Sequence, residues 1–296
     1  MRRLTVFTPT YNRAHTLPRL YASLLVQSVD SFEWHIVDDG STDATEALIR
    51  SWQSSAPFPI KYTFQENAGK ARAHNAGVLG TSLELFMCVD SDDHLAPDAV
   101  ARIVSVVGDC DDPQCVGLLA YKGVSDTEPL TPVRFSMVTH STLRDQYDRG
   151  FFGDTALVYR SEVLKNFLFP TFPGETFVTE NIVYAQIDEH FYLHLLHKVL
   201  IVCEYQTQGL SSSPLVLKRD NPLGFAAYYL VLSRTNRGIR STRFLAQSVC
   251  YSILSGREYR SRYCGMFVPY LLAWPAGLML SQRRRRQYRR LDRKQT

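Results

Sequence analysis

Along the first hundred residues, runs of apolar residues at two different periods follow one another. Residues 4–8 form a short, β-branched apolar run stopped by Pro9, which predicts a buried strand running into a loop. Leu17, Leu20, Tyr21, Leu24 and Leu25 then recur at three- and four-residue spacing, so the next element reads as a helix with one face on a sheet. Residues 34–37 read as a second strand, residues 44–52 as a helix that Ser41 or Asp43 caps, and residues 60–64 as a third strand. A Gly- and Ala-rich loop and helix over 67–80 precede a fourth strand, 83–89, which runs into Asp90-Ser91-Asp92-Asp93. This alternation predicts an α/β fold with a mainly parallel, Rossmann-like central sheet, whose ligands gather outside the carboxyl ends of the strands.

Beyond Pro97 the pattern is mixed, with apolar segments 116–121, 155–159 and 199–205 between longer polar loops. After Pro214 it turns helical, with apolar residues at helical spacing over 225–232 and 244–254. The expected organisation is a domain over 1–215, divided into halves 1–95 and 96–215, followed by a helical region over 216–296. Residues 266–280 are nearly uncharged, but this stretch, interrupted by Pro269 and Pro275, is shorter than the roughly twenty residues a bilayer span needs. Arg283, Arg284, Arg285 and Arg286 follow it. Two readings remain open: a segment lying in the interface of an anionic membrane, or a core helix with a solvated tail.

Composition narrows the classes. With 296 residues, 45% of them hydrophobic, the chain can bury a sizeable core. The net charge of +4 is concentrated in the C-terminal tail, so a uniformly basic nucleic-acid-binding face is not expected. Six cysteines without a Cys-x-x-Cys pair read as reduced thiols in a cytoplasmic protein, and the early break at Pro9 leaves no signal-peptide core.

Candidate chemistry collects at the expected strand ends. Asp90, Asp92 and Asp93 repel one another unless a cation sits among them, and hard oxygen ligands in an open site suit Mg²⁺ or Mn²⁺ shared with substrate phosphates. Alone, the cluster would also fit a helix-capping turn. Asp39, in Asp38-Asp39-Gly40-Ser41-Thr42-Asp43, can accept hydrogen bonds from a base or ribose. Thr8-Pro9-Thr10-Tyr11-Asn12-Arg13 offers a ring for a base and a guanidinium for phosphate. The stretch from Asn67 to Gly77 brings small residues with Lys70, Arg72 and His74, whose cations offset diphosphate charge.

In order and spacing these four motifs resemble the family-2 inverting glycosyltransferases of the GT-A fold, strongly over residues 4–100 and loosely over 100–215. The resemblance implies that Thr8, Tyr11, Arg13 and Asp39 contact a nucleotide, most commonly uridine, and that Asp90 and Asp92 flank a diphosphate bridged by Mn²⁺ or Mg²⁺. It places a phosphate contact where His74 stands, just before Asn75; that family usually has Arg there, so Lys70 or Arg72 is an alternative, with Asn67 in the same loop. It also implies a carboxylate base at or before a helix under the acceptor. Glu180 is the first choice and Asp154 the second. The expected partners are a UDP-linked sugar and a glycan or lipid-linked acceptor in cell-surface polysaccharide synthesis, with the protein in the cytoplasm or peripheral on the inner membrane face.

Other enzyme classes and a non-catalytic role call for different features. A nucleotidyltransferase making activated sugars would carry a Gly-rich basic loop after the first strand, which residues 8–13 are not. A dinucleotide oxidoreductase would carry Gly-x-Gly-x-x-Gly there. A non-catalytic, membrane-attached assembly partner predicts no turnover. His190 and His194 read as sharing a helical face, packed or solvated rather than metal-bound, and residues 204–211 read as a polar loop or a lid over the donor.

Overall fold

A computed structural model describes residues 2–108, 112–203, 214–257 and 267–295. The chain forms two compact units: Met1–Leu168 with His190–Tyr205, and Phe169–Glu189 with Gln206–Thr296. The segment 204–211, Cys110 and Cys264 lie outside the described residues.

The first unit runs β1 (Leu4–Thr10), α1 (Leu17–Leu25), β2 (Phe32–Asp38), α2 (Thr45–Gln53), β3 (Ile60–Phe64), α3 (Lys70–Gly80), β4 (Leu85–Cys88), β5 (His94–Leu95), α4 (Ala99–Gly108), β6 (Cys115–Gly123), β7 (His140–Ser141), α5 (Leu143–Asp148), β8 (Thr155–Arg160), α6 (Ser161–Asn166) and β9 (Tyr192–Val202). These strands make one sheet in the order β3-β2-β1-β4-β8-β6-β9-β5, with β7 on β9. From β3 to β4 every pairing is parallel. Strand β8 then enters antiparallel to both β4 and β6, and β6 pairs β9 in parallel.

All seven residues of β1 are buried, as expected of a parallel strand covered on both faces. On one face Leu17, Leu20 and Leu24 of α1 pack with Trp34, Ile36 and Ile49, and Tyr21 stacks on Trp52 with ring centroids 4.4 Å apart. On the other face α3 comes so close that a Cβ on Gly77 would lie 2.3 Å from the Phe7 ring. His194, expected on a helix, lies in β9 and meets His140 edge-on at 5.3 Å. The β-branched and aromatic residues around it decide for strand.

Buried His35 shares a 3.1 Å hydrogen bond between Nε2 and the Thr63 hydroxyl. Burial, with the Lys61 charge adding to it, lowers its pKa to about 4. Between pH 6.5 and pH 4 the unfolded chain therefore binds a proton that the folded chain refuses. Stability is present above pH 6.5 and falls as pH drops through that window, by about 3 kcal/mol for this one group. Urea unfolding at pH 7 and pH 4.5 checks this, and His35→Gln is expected to flatten the difference.

The second unit holds α7 (Asn181–Ile187), α8 (Pro214–Asp220), α9 (Pro222–Thr235), α10 (Gly238–Ser255) and α11 (Phe267–Gln295). Leu230, Leu245, Ala246, Val249 and Ala273 form its core, and the Ser248 hydroxyl donates to the Ala226 carbonyl at 2.7 Å, tying α10 to α9. Glu175 closes the start of α9, accepting from the backbone N–H groups of Leu223 and Gly224 at 2.7 and 2.8 Å. The prolines expected to interrupt residues 266–280 do not end α11. Pro269 sits in the first turn, where its missing N–H costs nothing, and Pro275 is accommodated inside the helix. Among the described residues no helix is long and apolar enough to cross a membrane.

Candidate functional site

The loops after β1, β2 and β3 are stitched together. Thr10 pairs with Asp38 at the ends of β1 and β2, so the loops that follow leave side by side. Asn12, at φ 52°, donates its backbone N–H to the Ser41 hydroxyl at 2.8 Å and accepts at Oδ1 from the N–H groups of Thr42 and Asp43. Gly40, at φ +86°, has the Asn67 nitrogen 2.8 Å from where a Cβ would stand, so no side chain fits.

Asp38 accepts from the Ser41 N–H and the Tyr62 hydroxyl. Buried Asp39 takes three donors: Gln65 Nε2 at 2.7 Å, Ala68 N at 2.9 Å and Gly69 N at 2.7 Å. A carboxylate has about four lone-pair positions, so Asp39 anchors the entrance to α3 and keeps about one acceptor position for a ligand.

The acidic cluster follows β4. Its turn is closed by Asp93 N donating to Asp90 O at 3.0 Å, and Arg19 of α1 donates to the Asp92 carbonyl at 2.7 Å. Two ammonium groups enter it. Lys70, the first residue of α3, lies 2.6 Å from Asp90 Oδ1. Lys122, near the end of β6, lies 2.9 Å from Asp93 Oδ2 and 3.7 Å from Asp90 Oδ2. Burial works against ionisation of Asp90, but Lys70 and Lys122 outweigh it and hold its carboxyl well below the usual range. Asp93 is shifted upward, by burial first and by the Asp90 charge, with Lys122 opposing. Lys122 is itself largely buried; desolvation favours its neutral form, and Asp90 and Asp93 overcome it and raise its pKa. The Cys203 thiol donates to Asp93 Oδ2 at 3.2 Å, and burial pushes that thiol up.

Several expected site residues lie at this end of the sheet. Tyr11 is exposed beside Asn12, and Arg13 is half-buried, its backbone N–H on the Thr45 hydroxyl at 3.1 Å. Asn67 and Arg72 are exposed at the start of α3. Asp154 is exposed just before β8, and its charge is felt by Cys203. Glu180 belongs to the second unit, as the residue immediately before α7.

Two of the expected site residues have buried side chains. Thr8 is fully buried, and its hydroxyl accepts from Trp34 Nε1 at 3.0 Å, so this side chain serves the core. His74 is also buried, edge-on to Phe7 at 5.5 Å and to Phe86 at 5.3 Å, because it shares the sheet-facing side of α3 with Ala71 and Val78. Of the cations expected there, Lys70 reaches the cluster.

Lys122 has no place among the sequence motifs, and Thr10 and Asn12 stand in the first of them without a role of their own. The Thr10 hydroxyl is buried at the end of β1 without a hydrogen-bond partner among the described residues, as at a site completed by a ligand. Among the described residues no group of three or more His, Cys, Asp or Glu forms a metal cage. The cluster fits a different kind of site. The Asp92 carboxylate is half-buried and, among the described residues, outside both lysine pairs, which leaves hard oxygen for a Mg²⁺ or Mn²⁺ that shares phosphate ligands with a substrate.

Comparison with known proteins agrees with this geometry. Residues 5–168 match Glycosyl transferase family 2. An uncharacterised glycosyltransferase of Nostoc sp. is 36% identical over 124 residues, 42% of this chain and 38% of that protein. The validoxylamine A glucosyltransferase of Streptomyces hygroscopicus is 37% identical over 106 residues, 34% of this chain and 25% of its own length. The chain thus spans well under half the length of these relatives. Among solved structures, Staphylococcus aureus TarS 1–349 in complex with UDP-GlcNAc superposes with a TM-score of 0.64 at 16% identity, covering 94% of this chain and 81% of that one. The Pyrobaculum calidifontis mannosyltransferase PcManGT, in complex with GDP-Man and Mn²⁺, gives 0.56 at 18% identity, covering 95% and 85%. These superpositions show the GT-A fold, and with the family match extending over more than half of its length, the chain belongs to the family-2 glycosyltransferases.

Proposed function

We propose that the protein transfers a sugar, with inversion at the anomeric carbon, from a UDP-linked donor to a hydroxyl of a glycan or lipid-linked acceptor in cell-surface polysaccharide synthesis. The observation that carries this reading is the Asp90–Asp93 turn bracketed by Lys70 and Lys122 at the carboxyl end of a parallel sheet. The UDP assignment leans on the UDP-GlcNAc complex of TarS.

In this reading Tyr11, Arg13 and the remaining acceptor position of Asp39 hold the nucleoside, and Lys70 and Lys122 exchange part of their carboxylate contacts for diphosphate oxygens. Asp92, with Asp90, would hold Mn²⁺ or Mg²⁺, which when bound neutralises charge on the departing nucleoside diphosphate. Glu180 takes the proton of the acceptor hydroxyl, and Asp154 binds acceptor hydroxyls.

Calorimetric titration with UDP-GlcNAc, UDP-glucose and GDP-mannose, in Mn²⁺ and in EDTA, tests the donor reading. A UDP-sugar is expected to bind in Mn²⁺ at least tenfold more tightly than in EDTA. Asp90→Ala/Asp92→Ala is expected to abolish that binding, and unchanged binding in this variant would sink the proposal.

A further inference from the structure

Helices α10 and α11 of the second unit leave a groove of about 1440 Å³ between the first turns of α10 and the middle of α11. Its volume exceeds that of most small-molecule pockets. Ile239 is 74% exposed, Leu272 73% and Met279 69%, and all three line it together with the hydrocarbon of Ala276 and Leu280. Val268 and Leu271 of α11 are exposed as well. Isolated exposed apolar residues are ordinary, but this many large ones around one groove mark an interaction site.

The rim is cationic. Arg243 of α10 and Arg283 and Arg286 of α11 border the apolar floor, and among the described residues none of the three has an ion-pair or hydrogen-bond partner. Arg285, Arg289 and Arg290 continue the charge along α11. Residues 238–296 hold thirteen of the chain's 33 lysines and arginines but two of its 29 acidic residues. Gln247, in the groove wall, carries a buried side-chain oxygen with no hydrogen-bond partner among the described residues.

We infer that this groove is a docking surface for an anionic lipid bilayer. Acyl chains meet Ile239, Leu272 and Met279, lipid phosphates meet Arg243, Arg283 and Arg286, and Gln247 accepts a hydrogen bond from a headgroup hydroxyl. A helix that is apolar for half its length and arginine-rich for the rest suits the boundary between acyl chains and headgroups. Trp274, on the exposed apolar part of α11, is the kind of residue that settles at this depth. A second copy of this chain is the poorer occupant, because a two-fold contact would set one arginine rim against another with almost no carboxylate to meet it.

The test is cosedimentation of the full chain with phosphatidylglycerol/phosphatidylcholine vesicles, with phosphatidylcholine alone as comparison, while Trp274 emission is followed. The chain is expected to bind the anionic vesicles with a blue shift and to leave neutral ones in solution. Reversing Arg243, Arg283 and Arg286 to Glu should weaken partitioning by about 100-fold or more, from roughly fivefold per arginine lost near the surface. Leu272→Asp/Met279→Asp should abolish the blue shift. Both variants should keep the thermal midpoint of the parent, since the changed side chains are exposed. Equal binding of parent and variants, or equal binding to neutral vesicles, overturns the inference. A concentration-dependent dimer in sedimentation that the same variants dissolve, without vesicle binding by the parent, overturns it in favour of self-association.

Discussion

Lys122→Met is expected to destabilise the first unit by about 3 kcal/mol, because removing one partner of a buried ion pair strands the other charge. The stranded group is Asp93, which is buried and, among the described residues, keeps the Cys203 thiol as its side-chain donor. Adding Asp93→Asn removes the stranded charge, so the double variant should recover most of the lost stability in urea unfolding. Donor affinity should not recover with it. If Lys122 supplies charge to the diphosphate, its loss costs roughly 10- to 100-fold in binding, the range for one hydrogen bond to a charged group. Lys122→Arg should keep much of both properties, since it retains the charge. A double variant that regains full donor affinity would reduce Lys122 to a structural counter-ion and leave the diphosphate to Lys70.

The same lysine shows where the sequence stops being informative. Residues 116–121 read as an apolar strand, and a lysine at its end reads as ordinary solvation. Only the pairing of β6 with β8 and β9, across 34 and 79 positions of chain in the registers Tyr121↔Thr155 and Lys122↔Ile201, brings that ammonium to the turn after β4. No local pattern encodes such a meeting. The parallel half is far more legible, because β1 and β2 are short apolar runs buried almost throughout and α1 buries a face whose helical period is written in consecutive residues. The antiparallel entry of β8 is not, since a short apolar run carries no mark of its direction.

The burial of Thr8 and His74 is of another kind, because its signal is present in the sequence. Thr8 lies inside a strand buried along its whole length, where a hydroxyl must find a partner in the core, and Trp34 supplies it. His74 lies three residues after Ala71 and four before Val78, on the apolar side of α3. Helical spacing on its own turns that ring toward Phe7.

Glu180→Gln is expected to lower the rate of sugar transfer by about 1,000-fold while leaving the donor dissociation constant within about twofold, the size of effect a positioned general base supplies. Glutamine keeps the length and shape of the side chain, and the backbone carbonyl at this position still accepts from Val183 at the start of α7, so the helix should persist. The carboxylate is lost, and with it the acceptor for the hydroxyl proton. Asp154→Asn separates the two carboxylates. An exposed residue that binds acceptor hydroxyls should, when neutralised, raise the acceptor KM by about tenfold and leave kcat nearly unchanged, because it removes an interaction made equally in the ground and transition states. If instead Asp154→Asn loses the rate while Glu180→Gln keeps it, the base is Asp154.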